Sequence, residues 1–186
     1  MPTIFTHPVI PAAMGVTLGA RVVPRPLLVA GMLASVLPDF DVLAVRVGID
    51  YPHELGHRGA SHSIAFALAM AALACLWARR LGSRPWVVFC FVFVAGVSHP
   101  LLDMCTTGGM GISLWWPVSD DRLFFPAQVI EASPLSVRRF FTSAAIPVLA
   151  SELLWVWLPA SALALAGRCV RRRRALGCQA VMGRHR

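Results

Sequence analysis

The sequence predicts an all-α, polytopic membrane protein of about five apolar helices with an irregular interfacial cap segment, and three observations predict it. First, 57% of the 186 residues are hydrophobic and only 14% are charged, with a mean hydropathy of +0.67, a balance that soluble chains of this length rarely show. Second, the apolar residues come in runs close to the ~20 that a helix needs to cross the hydrocarbon core. Third, the charges are sorted along the chain. Net charge is +8 and all 17 basic residues are arginine. A basic balance could suit nucleic acid, but this distribution fits membrane topology, so no nucleic-acid partner is expected.

Taken in order, residues 8–20 and 26–37 are short apolar stretches separated by Arg21, Pro24, Arg25 and Pro26. They read as two short spans, with half-inserted helices as the alternative. His62 to Ala78 and Pro85 to Asp103 are strong spanning candidates, and Ser143 to Gly167 is a third. Pro147 and Pro159 are expected to kink that last one or trim its ends. Segment 104–142 is too irregular to span and too apolar for a free linker, and reads as a re-entrant or interfacial cap. Its Trp115, Trp116, Phe124 and Phe125 are expected at headgroup level, and Pro134 to Phe141 as a short interfacial helix. Residues 1–170 read as one helical domain and 171–186 as a basic, unstructured cytoplasmic tail. The five cysteines form no C-x-x-C pair and read as small buried hydrophobes. No basic stretch precedes Ile4-Phe5, so no cleaved signal peptide is expected.

Threading these segments back and forth sorts twelve arginines to one side and five to the other, which also holds eight of the nine acidic residues. The positive-inside rule then places the arginine-rich side in the cytoplasm and the acidic side toward the periplasm or exterior. Trp77 and Trp86 flank the tight 79–84 turn, where interfacial tryptophans belong.

The acidic side also gathers His7, Asp39, Asp41, His57, His62, His99 and Asp103. His99 and Asp103 are one helical turn apart on one face, so one ion can take both, or Asp103 can orient His99. His57 and His62 bracket Gly59, which permits a tight approach, and Ser61 or Ser63 can cap the following helix. Asp39 and Asp41 follow Pro38, as metal ligands, as holders of a general-base water, or as a solvated turn. Arg58 reads as an anion contact or a surface arginine, and His7 is the weakest member. Imidazole and carboxylate without thiolate suit zinc, with manganese or iron as alternatives, and the set is large enough for one or two ions. Glu152 lies within an apolar run, where a carboxylate is costly; it is either protonated and hydrogen-bonded inside the bundle or reaches the site from below.

The ordered motifs Leu37-Pro38-Asp39-Phe40-Asp41, HRGASHS at 57–63, SHPLLD at 98–103, Thr107-Gly108-Gly109 and Trp116-Pro117-Val118-Ser119 with Arg122 resemble the YdjM-like family of bacterial inner-membrane proteins. The similarity covers about residues 1–130. It implies a helical fold in the inner membrane and a metal-dependent hydrolase. By motif position it points to His57, His62, His99 and Asp103, with Asp39 and Asp41 as further ligands. The H-x-x-x-D step also resembles that of zinc-dependent phospholipases C. Val118 stands where the family tends to Phe, and Ser61 where Thr is commoner; neither is at a ligand position. The expected activity is therefore attack of a metal-activated water on a membrane-proximal ester, a phosphoester above others, with a lipidic or other phosphoester small molecule as substrate. Asp39, Asp41 and Arg58 are the catalytic candidates. The alternative is a non-enzymatic membrane protein that binds or transports a metal ion, with Glu152 on the path.

Overall fold

The computed structural model describes residues 1–134 and 137–183, and every regular element among them is helical. The helices are α1 (Val9–Leu18), α2 (Arg25–Ala34), α3 (Val42–Arg46), α4 (Ile64–Cys75), α5 (Pro85–Met104), α6 (Val137–Phe140), α7 (Ala145–Glu152) and α8 (Leu158–Gly183). A 3-10 turn, Leu37–Asp41, joins α2 to α3, and another, Ala60–His62, leads into α4.

Fewer helices are long enough to span than the five apolar segments suggest. Two qualify by length and composition, α5 and the run Ala145–Leu176; a third does if α2 and the Leu37–Arg46 segment, bent by 42°, count as one. The reason lies in the ends of the apolar runs. Ser63 caps α4 by accepting the Phe66 N–H at 3.0 Å, which leaves His62 outside the helix. At the other end Leu76, Trp77 and Ala78 turn through i→i−3 bonds. What remains of the run is 12 residues, a helix about 18 Å long against a core of about 30 Å. Helix α1, with 10 residues, is shorter still. Pro159 produces no sharp break. A π turn at Leu153–Trp157 precedes it and absorbs the missing N–H, so α7 and α8 run on as one helix. Nor does the chain end its helix near 170, since α8 carries Arg171 to Arg174 and continues to Gly183. His185 and residues 184–186 of the predicted tail lie outside the described residues. In the 134–141 stretch, the predicted interfacial helix is the single turn of α6.

Helices α4 and α5 form an intimate hairpin, α2 packs on α5, and α1 lies along α8. Leu27, Ala71, Val88, Phe91 and Val92 fill the core between them. The bundle has two distinct ends. At one, Ser83 Oγ donates to the Val22 carbonyl at 3.3 Å, and Arg171 donates to the carbonyls of Val16 (2.7 Å) and Thr17. The turns rich in arginine thus meet there. At the other end, the irregular 105–134 segment folds over the polar cluster. It is pinned by bridges between Thr106 and Ile130 and between Ile112 and Leu123, with Ile112 and Ile130 buried. Trp115 and Phe125 are exposed on its outer surface. Leu153, Leu154, Trp155, Leu163 and Leu165 are likewise exposed along the last helix, an apolar exterior that suits lipid rather than water.

Candidate metal centre

Each polar side chain reaches the same interior point by a different local device. Pro38 starts the 3-10 turn that carries Asp39 and Asp41. In the 57–62 loop, a Cβ at Gly59 would lie 2.0 Å from the Glu54 carbonyl oxygen, so only glycine lets this loop close. Helix α5 presents His99 and Asp103 on its buried face. His7 precedes α1 and is fully buried.

At the centre are Asp39, His62, His99 and Asp103, whose ligand atoms all lie within 4.8 Å of one another. The hydrogen bonds fix the tautomers. His99 Nδ1 is 2.8 Å from the Ser35 carbonyl oxygen, an obligate acceptor, so Nδ1 carries the hydrogen. His62 Nδ1 is 3.1 Å from an Asp41 carboxylate oxygen, with the same consequence. Both imidazoles therefore turn Nε2 inward, and the two Nε2 atoms are only 3.0 Å apart. Two bare lone pairs at that distance repel unless a cation or a proton lies between them.

The carboxylates around this pair make the same demand. Asp39 and Asp103 are buried, and none of their four oxygens has a hydrogen-bond partner among the described residues. Asp39 Oδ1 is 3.5 Å from His99 Nε2, and Asp103 Oδ2 is 3.5 Å from His62 Nε2. His7 stacks on His99 with ring centroids 3.8 Å apart. Its Nε2 is 3.7 Å from Asp39 and 3.8 Å from Asp103, and neither of its ring nitrogens has a hydrogen bond among the described residues. Burial, reinforced by the neighbouring His99, lowers the His7 pKa to about 3 and keeps that ring neutral. Burial also works against charging His62, but the Asp103 and Asp41 carboxylates outweigh it and raise its pKa to about 9. Without another cation, the pocket holds a proton.

Asp41 and His57 form an outer layer. Asp41 accepts from His57 Nδ1 at 2.5 Å, Ser61 Oγ at 2.6 Å and the Arg58 N–H at 3.0 Å, and lies 3.1 Å from His62 Nδ1. With its donors in place, it orients imidazoles. Arg58 is 1% exposed, with φ at 66°, a left-handed conformation uncommon outside glycine. Its guanidinium donates to the Gly108 carbonyl at 2.7 Å and to Thr106 Oγ1 at 3.1 Å, and its Nε lies 3.4 Å from Asp103. A Cβ at Gly109 would sit 2.2 Å from Arg58 Nη1, so the cap closes on this side chain only through glycine.

All eight candidate residues of the sequence thus converge on one region: four at the centre, His7 against them, and Asp41, His57 and Arg58 around it. Sequence reasoning missed two supports. Ser35 acts through its backbone carbonyl, which leaves no trace in residue type. Of the two cap candidates Ser63 caps the helix, and Ser61 donates to Asp41 instead. Glu152, of the two places expected for it, takes the one inside the bundle: it is fully buried, accepts from the Thr3 and Thr6 hydroxyls at 2.8 Å each and from the Thr3 N–H, and so ties the segment that carries His7 to the last helix.

Comparison with known proteins agrees with this arrangement of motifs. The family described as YdjM inner membrane protein matches residues 1–175. The chain belongs to that family. Inner membrane protein YbcI of Escherichia coli (strain K12) is 44% identical over 161 residues, covering 86% of this chain and 92% of the relative. No solved structure matches. Membership extends past the 1–130 stretch on which the motifs fall and takes in α7 and most of α8.

Proposed function

We propose that this inner-membrane family member is a metal-dependent hydrolase of a membrane-proximal ester, with a phosphoester the best chemical match. One observation carries the reading. Two imidazole Nε2 atoms, oriented by committed Nδ1–H groups, and two buried carboxylates with no hydrogen bond among the described residues close around a single point. Buried polar atoms left without partners are costly, and a divalent cation satisfies all of them at once. Two nitrogens and two oxygens without sulfur suit zinc, with manganese or iron as alternatives.

His62, His99, Asp39 and Asp103 would hold the ion, and Asp41, His57 and His62 form a second group that could hold one. Such an ion supplies Lewis acidity and brings the pKa of a bound water toward neutrality. The chain's own groups do the rest. Asp41 fixes the rings of His62 and His57, and the Ser35 carbonyl fixes His99. His57, its Nδ1–H committed to Asp41, keeps Nε2 free to take a proton beside the cavity it lines. Arg58 places a buried positive charge next to Asp103, where anionic charge would develop. The arginine sorting supports a site that faces the periplasm or exterior.

The transport alternative needs Glu152 on a path. Its carboxylate is instead saturated by Thr3 and Thr6, and Trp157 Nε1–H donates to the Thr6 hydroxyl at 2.8 Å, closing that network. Metal analysis of the purified full chain tests the reading. Wild type should retain at least stoichiometric metal, and His99→Ala should lose it. Equally little metal in both would refute the proposal.

A further inference from the structure

The buried centre lies between two cavities of different character. One, about 320 Å³, is lined by Tyr51, His57, Arg58, Gly108 and Gly109 and carries the polar groups of the outer layer. The other, about 350 Å³, is a groove walled by Ile4, Phe5, Val42, Phe140 and Phe141. Both volumes fall in the range of small-molecule sites. Met1 and Ser133 line both, and the Ser133 N–H donates to the Met1 carbonyl at 2.9 Å, so a single backbone strap divides them.

Two features of the groove distinguish it from ordinary lipid-facing surface. Asp39 lines it, alone of the buried cluster, so its inner end abuts the candidate metal centre. Arg46 also lines it; this arginine is exposed and has no ion pair or side-chain hydrogen bond among the described residues. The outer wall is bare hydrocarbon, with Phe5 65% and Phe141 81% exposed. An apolar trough, an arginine along it and, at its inner end, a centre that would hold a divalent cation together match an amphiphile with an anionic head. An apolar ligand would leave Arg46 unanswered, and a water-soluble anion would leave the aromatic walls in contact with nothing.

Resting on the hydrolase reading above, we infer that the substrate is a lipid-like phosphate ester. Its head lies at Asp39 and Arg46, its chain lies along Phe5, Val42 and Phe141, and it reaches the centre sideways from the bilayer. The polar cavity beyond the strap then takes water and the released polar product.

The test compares dodecyl phosphate with inorganic phosphate, by calorimetric titration of the full chain in maltoside detergent. Dodecyl phosphate should bind at least about tenfold more tightly, because only it engages both the arginine and the apolar walls of the trough. Val42→Trp fills the trough and should abolish the preference while sparing phosphate binding. Phe141→Asp, at an exposed position that leaves the core intact, should cut dodecyl phosphate binding by a similar factor. Arg46→Gln should weaken the amphiphile several-fold. Equal affinities for the two probes, or a preference unchanged in both Val42→Trp and Phe141→Asp, would overturn the groove assignment. Metal content is read in the same preparations and separates the two claims. Metal retained without chain-length preference refutes only the groove, whereas chain-length preference without metal refutes only the hydrolase.

Discussion

Asp39 and Asp41 stand two residues apart in one 3-10 turn, and their surroundings are opposite. Asp41 is met by three side chains and a backbone N–H, whereas Asp39 has no hydrogen bond on either oxygen among the described residues. The chain has spent its donors on one carboxylate and withheld them from the other. A carboxylate whose hydrogen bonds are filled can orient the imidazoles around it, and Asp41 also forms, with His57 and His62, a group that could hold an ion. A buried carboxylate with no hydrogen bond, beside inward-turned imidazoles, carries a charge that a nearby cation would offset, which is the role proposed for Asp39.

The largest expected effect sharpens this contrast. Asp39→Asn should lower metal affinity by more than about 100-fold, whereas Asp41→Asn, which only disturbs ring orientation, should cost about 10- to 100-fold; competition with a chromophoric chelator reads both. In chelator-treated protein the signs should diverge. Asp39→Asn relieves an unpartnered charge and should raise the thermal midpoint, while Asp41→Asn strands its donors and should lower it. Two midpoints moving in the same direction would break the comparison. Next comes pH. His62 holds its proton up to about pH 9 in the metal-free protein, and an incoming cation must displace it. Affinity should therefore rise about tenfold per pH unit between pH 6 and 8 and flatten above the His62 pKa. A flat profile would mean that His62 is not displaced. The smallest effect is expected from Glu152→Gln, which loosens only the segment holding His7. Metal affinity should fall a few-fold, about ten at most, while stability drops by about 1–3 kcal/mol through unpaired buried groups; chelator competition and thermal melts measure the two.

Residue type and order made much of this legible. The helical class, the two ends of the bundle and the convergence of His57, His62, His99, Asp39, Asp41 and Asp103 follow from apolar runs, arginine sorting and short motifs. The span count did not follow, because run length does not say where a helix stops. His62 and Ala78 are both in the apolar run, yet one is drawn into the centre and the other into a turn. His7 was the least conspicuous candidate, since its placement depends on Glu152, almost 150 residues away, a pairing that no local pattern encodes. Arg46 gave no signal either, since a lone arginine acquires meaning only from the trough that it borders.

The backbone of Arg58 has a consequence for motion. This residue accepts the Ser113 N–H on its carbonyl at 3.1 Å while its guanidinium grips Gly108 and Thr106. Lifting the cap would strip a buried guanidinium of its acceptors and pull on the same residue whose N–H steadies Asp41. The roof and the chamber beneath it are thus riveted together, and any opening that preserves the chamber must come from the flank.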